Sequence, residues 1–176
     1  MSIQAIFKFR GTAISNFQES FIKRGITHGL VCVKENQSTG IKWYAGTYGN
    51  NTQAKGDGPF AGRANTAIII VAHLIIGDDG STYAARVCNE LQITEGGITY
   101  GDWYLPSKQE LNLIYTNKGT INTTAGSNGG SDFTYTFYWS STEVDTNNAW
   151  MQDLQHGSQY SSFKNDTHKV RAVRAF

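Results

Sequence analysis

The chain has 176 residues, with a hydrophobic share of 39% and a charged share of 16%. That suits one domain with a large core and a polar, largely neutral surface. A net charge of +1 without any Lys/Arg cluster excludes a protein that grips nucleic acid through its phosphates, and the longest apolar run, residues 67–76, is broken by His73 and too short to cross a bilayer.

Residues 1–10 alternate apolar and polar and carry Lys8 and Arg10, unlike a secretory signal. Residues 3–9 read as a strand. Residues 12–25 are ambiguous, although Phe17, Phe21 and Ile22 have helical spacing. Residues 29–34 read as a buried strand containing Cys32. The second cysteine, Cys88, also has apolar neighbours, so both are expected as buried free thiols rather than a cross-link. Residues 40–62 are rich in glycine and read as loop, with Trp43 and Tyr44 as anchors.

Residues 64–76 are apolar nearly all round and fit either a helix or a buried strand. Residues 81–91 read as a helix with Ser81 as its cap and Tyr83, Ala84, Val87, Cys88 and Leu91 on one stripe. The next helix is better marked. Ser107-Lys108-Gln109-Glu110 fits a capping box, in which the serine oxygen accepts from the amide three residues on and Glu110 reaches back. Leu111, Ile114 and Tyr115 form its buried face, and Gly119 is expected to end it. Residues 122–132 read as a long loop. Short strands are expected at 135–140, 149–154, 158–163 and 169–175, with His156-Gly157 as a hairpin turn. Helices early and an antiparallel sheet late indicate an α+β domain.

Several ordered motifs carry a resemblance. They are Asp102-Trp103-Tyr104-Leu105-Pro106-Ser107-Lys108-Gln109-Glu110-Leu111, Tyr138-Trp139-Ser140-Ser141-Thr142-Glu143, Ala149-Trp150, and Val170-Arg171-Ala172-Val173-Arg174. With His28-Gly29-Leu30-Val31, Ser38-Thr39-Gly40-Ile41-Lys42-Trp43 and Ala64-Asn65-Thr66-Ala67, this set resembles the C-terminal domain of the bacterial collagen-like adhesin Lcl and its relatives. The resemblance covers residues 27–176. Residues 1–26 have no counterpart and are expected as an arm or strand, with oligomerisation as one role. It implies a C-type-lectin-like fold of the formylglycine-generating-enzyme type, with two or three helices on short antiparallel strands and long loops. Relatives of this kind occur in surface adhesins, phage tail-fibre tips and variable proteins of diversity-generating retroelements. No collagen Gly-X-Y repeat is present, so that adhesin's trimerising stalk has no counterpart in this sequence.

The candidate site lies in residues 151–168. Period-two alternation puts Trp150 and Leu154 on one strand face and Met151, Asp153 and Gln155 on the other. Ser158, Tyr160, Ser162, Phe163, Asn165, Asp166 and His168 follow in an uncommonly mixed run. Tyr gives broad contact at low entropy cost, while Ser and Asn give adaptable hydrogen bonds. Met151, Tyr160 and Phe163 are the expected apolar anchors.

Trp103, Trp139 and Trp150 are read as core and Glu110 as the cap carboxylate. Arg171 and Arg174 are expected to fork onto buried carboxylates or carbonyls, with Glu143 and Asp102 as natural partners. Asp78-Asp79 and Asp145-Thr146-Asn147-Asn148 carry oxygens that suit Ca²⁺, but neither fits an EF-hand loop. The Glu-Pro-Asn and Trp-Asn-Asp triplets of calcium-dependent lectins are absent, and no His/Cys spacing suits zinc. No cofactor is expected.

These features favour a non-enzymatic domain that binds a cell-surface glycan or protein, displayed on a virion tail fibre or a bacterial surface, with a homotrimer adding avidity. Two alternatives stand beside it: an enzyme on the formylglycine-type scaffold, and a structural fibre module. The enzyme would need a reactive cysteine, and neither Cys32 nor Cys88 has an activating cation beside it in sequence.

Overall fold

The computed structural model describes residues 29–46, 50–77, 79–95 and 97–176. The expected strand at 3–9, the ambiguous stretch 12–25, His28 and Asp78 lie outside these residues. The described chain is α+β. In order its elements are β1 (Leu30–Cys32), β2 (Ser38–Lys42), α1 (Ala61–Ile76), α2 (Ala84–Asn89), β3 (Ile93–Glu95), β4 (Ile98–Tyr100), α3 (Lys108–Thr116), α4 (Lys118–Ser127), β5 (Phe137–Glu143), β6 (Asn148–Asp153), β7 (Gln159–Phe163), β8 (Thr167–Val170) and β9 (Val173–Ala175).

The main sheet has the order β2-β8-β5-β6-β7, and β1 pairs with β9 beside it. Its pairings are antiparallel except β5 with β8, which run parallel with Tyr138 opposite Lys169. The pleat of β5 sorts the core into two halves, because neighbouring side chains leave a strand on opposite sides. Trp139 goes to a cluster with Trp43, Ile69, Tyr83, Cys88 and Ala172 under α1 and α2. Tyr138 goes to a second cluster with Tyr104, Leu111, Ile114, Ile121, Phe133 and Leu154 under α3 and α4.

The apolar run at 64–76 folds as a helix. Its inward polar residues pin the loops around it. The Asn65 carboxamide accepts from the Gly56 amide and donates to the Gly56 carbonyl, at 3.0 and 2.7 Å. The Leu105 amide donates to Thr66 Oγ1 at 3.1 Å, and the Ala45 amide donates to His73 Nε2 at 3.2 Å. Gly77, in the left-handed region at φ 96°, ends the helix with its N–H on the His73 carbonyl.

The capping box of α3 is formed in full. Glu110 N–H donates to Ser107 Oγ at 3.2 Å, and Ser107 N–H donates to Glu110 Oε2 at 2.7 Å. The same carboxylate accepts from the Phe60 amide and the Tyr104 hydroxyl, at 2.8 and 3.0 Å. Burial pushes the Glu110 carboxyl up, against these hydrogen bonds.

Four expectations are corrected. The helix expected over 81–91 is shorter, with Tyr83 rather than Ser81 at its N-cap, because the Ser81 amide is drawn to the Asp79 carboxylate at 2.8 Å. Gly119 does not end α3: Asn117 closes α3 and opens α4, and Gly119 lies inside α4. The loop expected at 122–132 is helical as far as Ser127, which makes four helices among the described residues instead of two or three. Its loop-like composition is absorbed because Thr123, Thr124 and Ser127 each turn a hydroxyl onto the carbonyl four residues back, at 2.9–3.0 Å, while Ile121 and Ala125 form the buried stripe. The strand expected at 169–175 is two strands, broken where Arg171 turns into the interior.

Candidate functional site

The register of β5, β6 and β7 decides which side chains share a face. Trp139 lies opposite Met151, Met151 opposite Tyr160, and Ala149 opposite Ser162. This face also carries Phe137, two residues before Trp139, and receives His168 from β8. The His168 ring meets Trp139 at 4.4 Å and Phe137 at 5.7 Å, and Phe137 meets Tyr160 at 6.3 Å, all edge-on. Trp139 is fully buried as the floor. Met151, Phe137 and His168 are half-buried and Tyr160 is 47% exposed. Together they form a shallow aromatic and thioether patch that reaches solvent.

A polar chain crosses the edge of this patch. Ser162 Oγ lies 2.7 Å from Asp166 Oδ2 and 3.0 Å from His168 Nε2. A carboxylate only accepts, so the serine proton points to Asp166 and the serine oxygen accepts from His168 Nε2–H. That order is the reverse of a nucleophilic triad, in which the imidazole takes the serine proton. Burial holds the His168 ring below its ordinary pKa, with Asp166 opposing. At neutral pH the ring is therefore uncharged, leaving Nδ1 as an acceptor.

The structure thus brings together Met151, Tyr160, Ser162, Asp166 and His168, with Ser158 at the Asp153 end of the same strand edge. It separates the others. Phe163 is 56% exposed but sits opposite Asn148, on the face that carries Trp150 and Ser161. Its distance of three residues from Tyr160 requires this, since a strand alternates every residue. Asp153 is 9% exposed and staples the turn below it, accepting from the Gln155 amide at 2.7 Å and meeting His156 Nδ1 at 2.8 Å. Burial alone would raise the Asp153 carboxyl, but these bonds hold it below its ordinary value. Gln155 is exposed at the tip of that turn. Asn165 lies on the β7–β8 turn and lines a polar cleft of about 220 Å³ with Lys42, Tyr44, Asp79, Ser81 and Thr82.

Trp150 differs from its expected place in the core. It is half-buried, with the Lys108 ammonium 3.8 Å above its ring. Its neighbour on the same face, Gln152, is fully buried and donates to Asn112 on α3 at 3.1 Å. Met151 conversely leans on the larger core cluster. The face read as inward thus holds a half-buried Trp150 beside a buried Gln152 and Leu154, and the face read as outward is partly core.

The scaffold beneath is tightly held. Trp103 is buried and its indole donates to the Tyr100 carbonyl at 3.1 Å. Trp139 donates to the Ile41 carbonyl at 2.9 Å and Trp43 to the Ser140 carbonyl at 2.7 Å. Arg174 pairs with Asp102, as expected. Arg171 does not pair with Glu143. It donates to Asn36 Oδ1 at 2.9 Å and to the Ser131 and Asp132 carbonyls at 3.0 and 3.2 Å, with its guanidinium 3.9 Å over Phe133.

Glu143 takes Lys164 instead, at 2.6 Å, with both side chains fully buried. Lys164 also donates to the Asn50 and Thr146 carbonyls, each at 3.0 Å. The second oxygen of Glu143 accepts from the Gln53 amide, and the first from Thr52. Sequence reading missed Lys164 and Phe137. Phe137 was legible, since it lies two residues from Trp139 in the same strand. Lys164 gave no local signal, because its neighbours Phe163 and Asn165 are both exposed.

Asp145 accepts from the Asn147 and Asn148 amides at 2.8 and 2.9 Å and from the Asn148 carboxamide, so its oxygens close a turn. Among the described residues no group of three or more His, Cys, Asp or Glu is placed to hold a metal ion. Both cysteines are buried and free, and burial pushes the Cys32 thiol up to about 12 and raises Cys88 as well. Among the described residues no helix is long and apolar enough to cross a membrane.

A family model described as the Lcl C-terminal domain matches residues 32–174. None of the curated proteins matches the chain.

Proposed function

Because the chain belongs to the Lcl C-terminal domain family, we propose that it is a non-enzymatic recognition domain of the adhesin or receptor-binding kind. Its target is a glycan or protein on a cell surface, met from a virion or a bacterial surface, and trimeric display multiplies a weak single contact. The observation that carries this reading is the patch of Phe137, Met151, Tyr160 and His168, edged by Ser162 and Asp166. Half-exposed aromatic side chains on a rigid sheet bind with little loss of conformational entropy, and the polar chain at the edge supplies directed donors and acceptors. The C-type-lectin-like architecture implied by the resemblance suits the same role. The reversed Ser162–His168 bond and the raised, buried thiols favour recognition over nucleophilic catalysis.

The test is binding to whole cells and glycan arrays with Tyr160→Ala and Phe137→Ala. Anchor residues of this kind cost more than about 1–2 kcal/mol, or roughly five- to thirtyfold in affinity. Phe163→Ala, on the other face, is expected to bind as the parent does. Unchanged binding in Tyr160→Ala and Phe137→Ala would remove the patch from the contact, and a loss confined to Phe163→Ala would move the contact to the Trp150 face.

A further inference from the structure

The strands that build the aromatic patch also set its charge. β5, β6 and β7 contain no Lys or Arg. In β8, Lys169 lies opposite Tyr138, on the other side of the sheet from Trp139, and donates to Thr134 Oγ1 at 3.0 Å. Lys164 is buried on Glu143. Lys42 of β2 stands opposite Thr167, one step out of phase with His168. Two carboxylates share the side of the patch: Asp153, opposite Phe137, and Asp166, beside Ser162. From these strands and the turns between them, Phe137, Met151, Tyr160 and His168 thus have anionic neighbours and no lysine or arginine.

The protons of the polar edge run along it in one direction. His168 Nε2–H donates to Ser162 Oγ, and the Ser162 hydroxyl donates to Asp166. Both donors are engaged within the chain, and what the edge turns to water is the lone pairs of the exposed Asp166 carboxylate. We propose that this patch takes a lysine or arginine side chain of a protein on the target surface. The inference rests on the recognition reading of the same patch and names its partner. An ammonium or guanidinium carries donors and no acceptor, the complement of an acceptor edge. Its charge is drawn to the face of the Tyr160 ring, which is 47% exposed. Its aliphatic stem lies along Met151 and Phe137 while the head reaches Asp166. Tyr160 and Ser162, two residues apart on one strand face, stand about 7 Å apart, so one long side chain covers both ring and edge.

Other cell-surface chemistries match this charge pattern less well. A sulfated or carboxylated sugar would meet Asp153 and Asp166 with like charge. A neutral sugar hydroxyl both donates and accepts, and the donors of this edge are already directed to Ser162 and Asp166. A quaternary ammonium headgroup suits the rings but has no N–H, so it would cover the Asp166 carboxylate without giving it a hydrogen bond.

Biolayer interferometry of the immobilised full chain against poly-L-lysine, poly-L-arginine, heparin, dextran and phosphocholine-albumin tests this, beside binding to whole cells. Asp166→Asn removes one charge and keeps an oxygen for the Ser162 proton. Glu90→Gln removes one charge at the end of α2, where the Glu90 side chain is 61% exposed, so the two variants have the same net charge. The parent is expected to bind the two basic polymers in preference to the other three probes. Asp166→Asn is expected to lose at least about tenfold in affinity for them and for cells, and Tyr160→Ala about threefold or more. Glu90→Gln is expected to bind as the parent does. An equal loss in Asp166→Asn and Glu90→Gln would mean that the polymers sense net charge alone, and would overturn the proposal. So would no binding of either basic polymer, or tighter Tyr160-dependent binding of heparin, dextran or phosphocholine-albumin. Cell binding lost in Tyr160→Ala but kept in Asp166→Asn would overturn the cationic partner and leave the recognition reading standing. Cell binding kept in both would remove the two together.

Discussion

Lys164 sits between exposed Phe163 and exposed Asn165, yet its own side chain is fully buried against Glu143. The pair ties four segments together: the Asn50–Gln53 loop, the end of β5, the β5–β6 turn and the β7–β8 turn. Desolvation pulls the Lys164 amine below its ordinary pKa, and the Glu143 carboxylate opposes it. Removing one partner leaves the other charge buried without its counter-ion. Glu143→Gln is therefore expected to cost about 3–5 kcal/mol, read as a lower urea midpoint at unchanged slope. Glu143→Gln combined with Lys164→Met is expected to cost less than the sum of the two single changes, since the orphaned charge is gone. A single-variant cost under about 1 kcal/mol would mean that water reaches the pair and that it screens like a surface bridge.

At the scale of elements, α1 and α3 meet through one carboxylate. Glu110 caps its own helix and receives the Phe60 amide just ahead of α1. Gly62 lets the two approach. A Cβ there would collide with the Glu110 carboxylate and would stand 2.7 Å from both the Leu105 carbonyl and the Ser107 amide. Two of these three are backbone atoms and cannot swing aside. Gly62→Ala gains helix propensity, yet it is expected to destabilise by about 1–3 kcal/mol through overpacking. Thermal unfolding of Gly62→Ala beside Gly119→Ala checks this, because a Cβ at Gly119 meets nothing within 4 Å. If both variants gain stability alike, the close approach of α1 and α3 carries no weight.

For the whole molecule, the proposed role divides residues 151–168 into presented and anchoring positions. Gln155, Ser158, Tyr160, Asn165 and Asp166 face water, whereas Gln152, Leu154 and Lys164 are fully buried within the same stretch. If the locus is diversified, as in retroelement variable proteins, sibling copies are expected to differ at the first set and to keep the second. Sequencing the locus across related isolates measures this. Identical codons throughout would remove the diversification reading, and changes at Lys164 as frequent as at Tyr160 would remove the division itself.

The sequence by itself determined what is local. The capping box of α3, the buried first strand, the Gly157 turn and the aromatic core strand follow from propensities and spacings within a few residues, and the ordered motifs fixed the family. Only the tertiary structure decided which side chains share a face. Phe163 and Tyr160 are parted by the pleat, Phe137 joins through β5, and His168 arrives from β8 across a parallel pairing. Composition could not reveal α4, whose hydroxyls satisfy its own backbone. Nor could it reveal the partner of Glu143, 21 residues away. The reason is one of range. Helix signals are written between residues three and four apart, whereas strand register and buried charge pairs are settled by segments that meet only once the chain has folded.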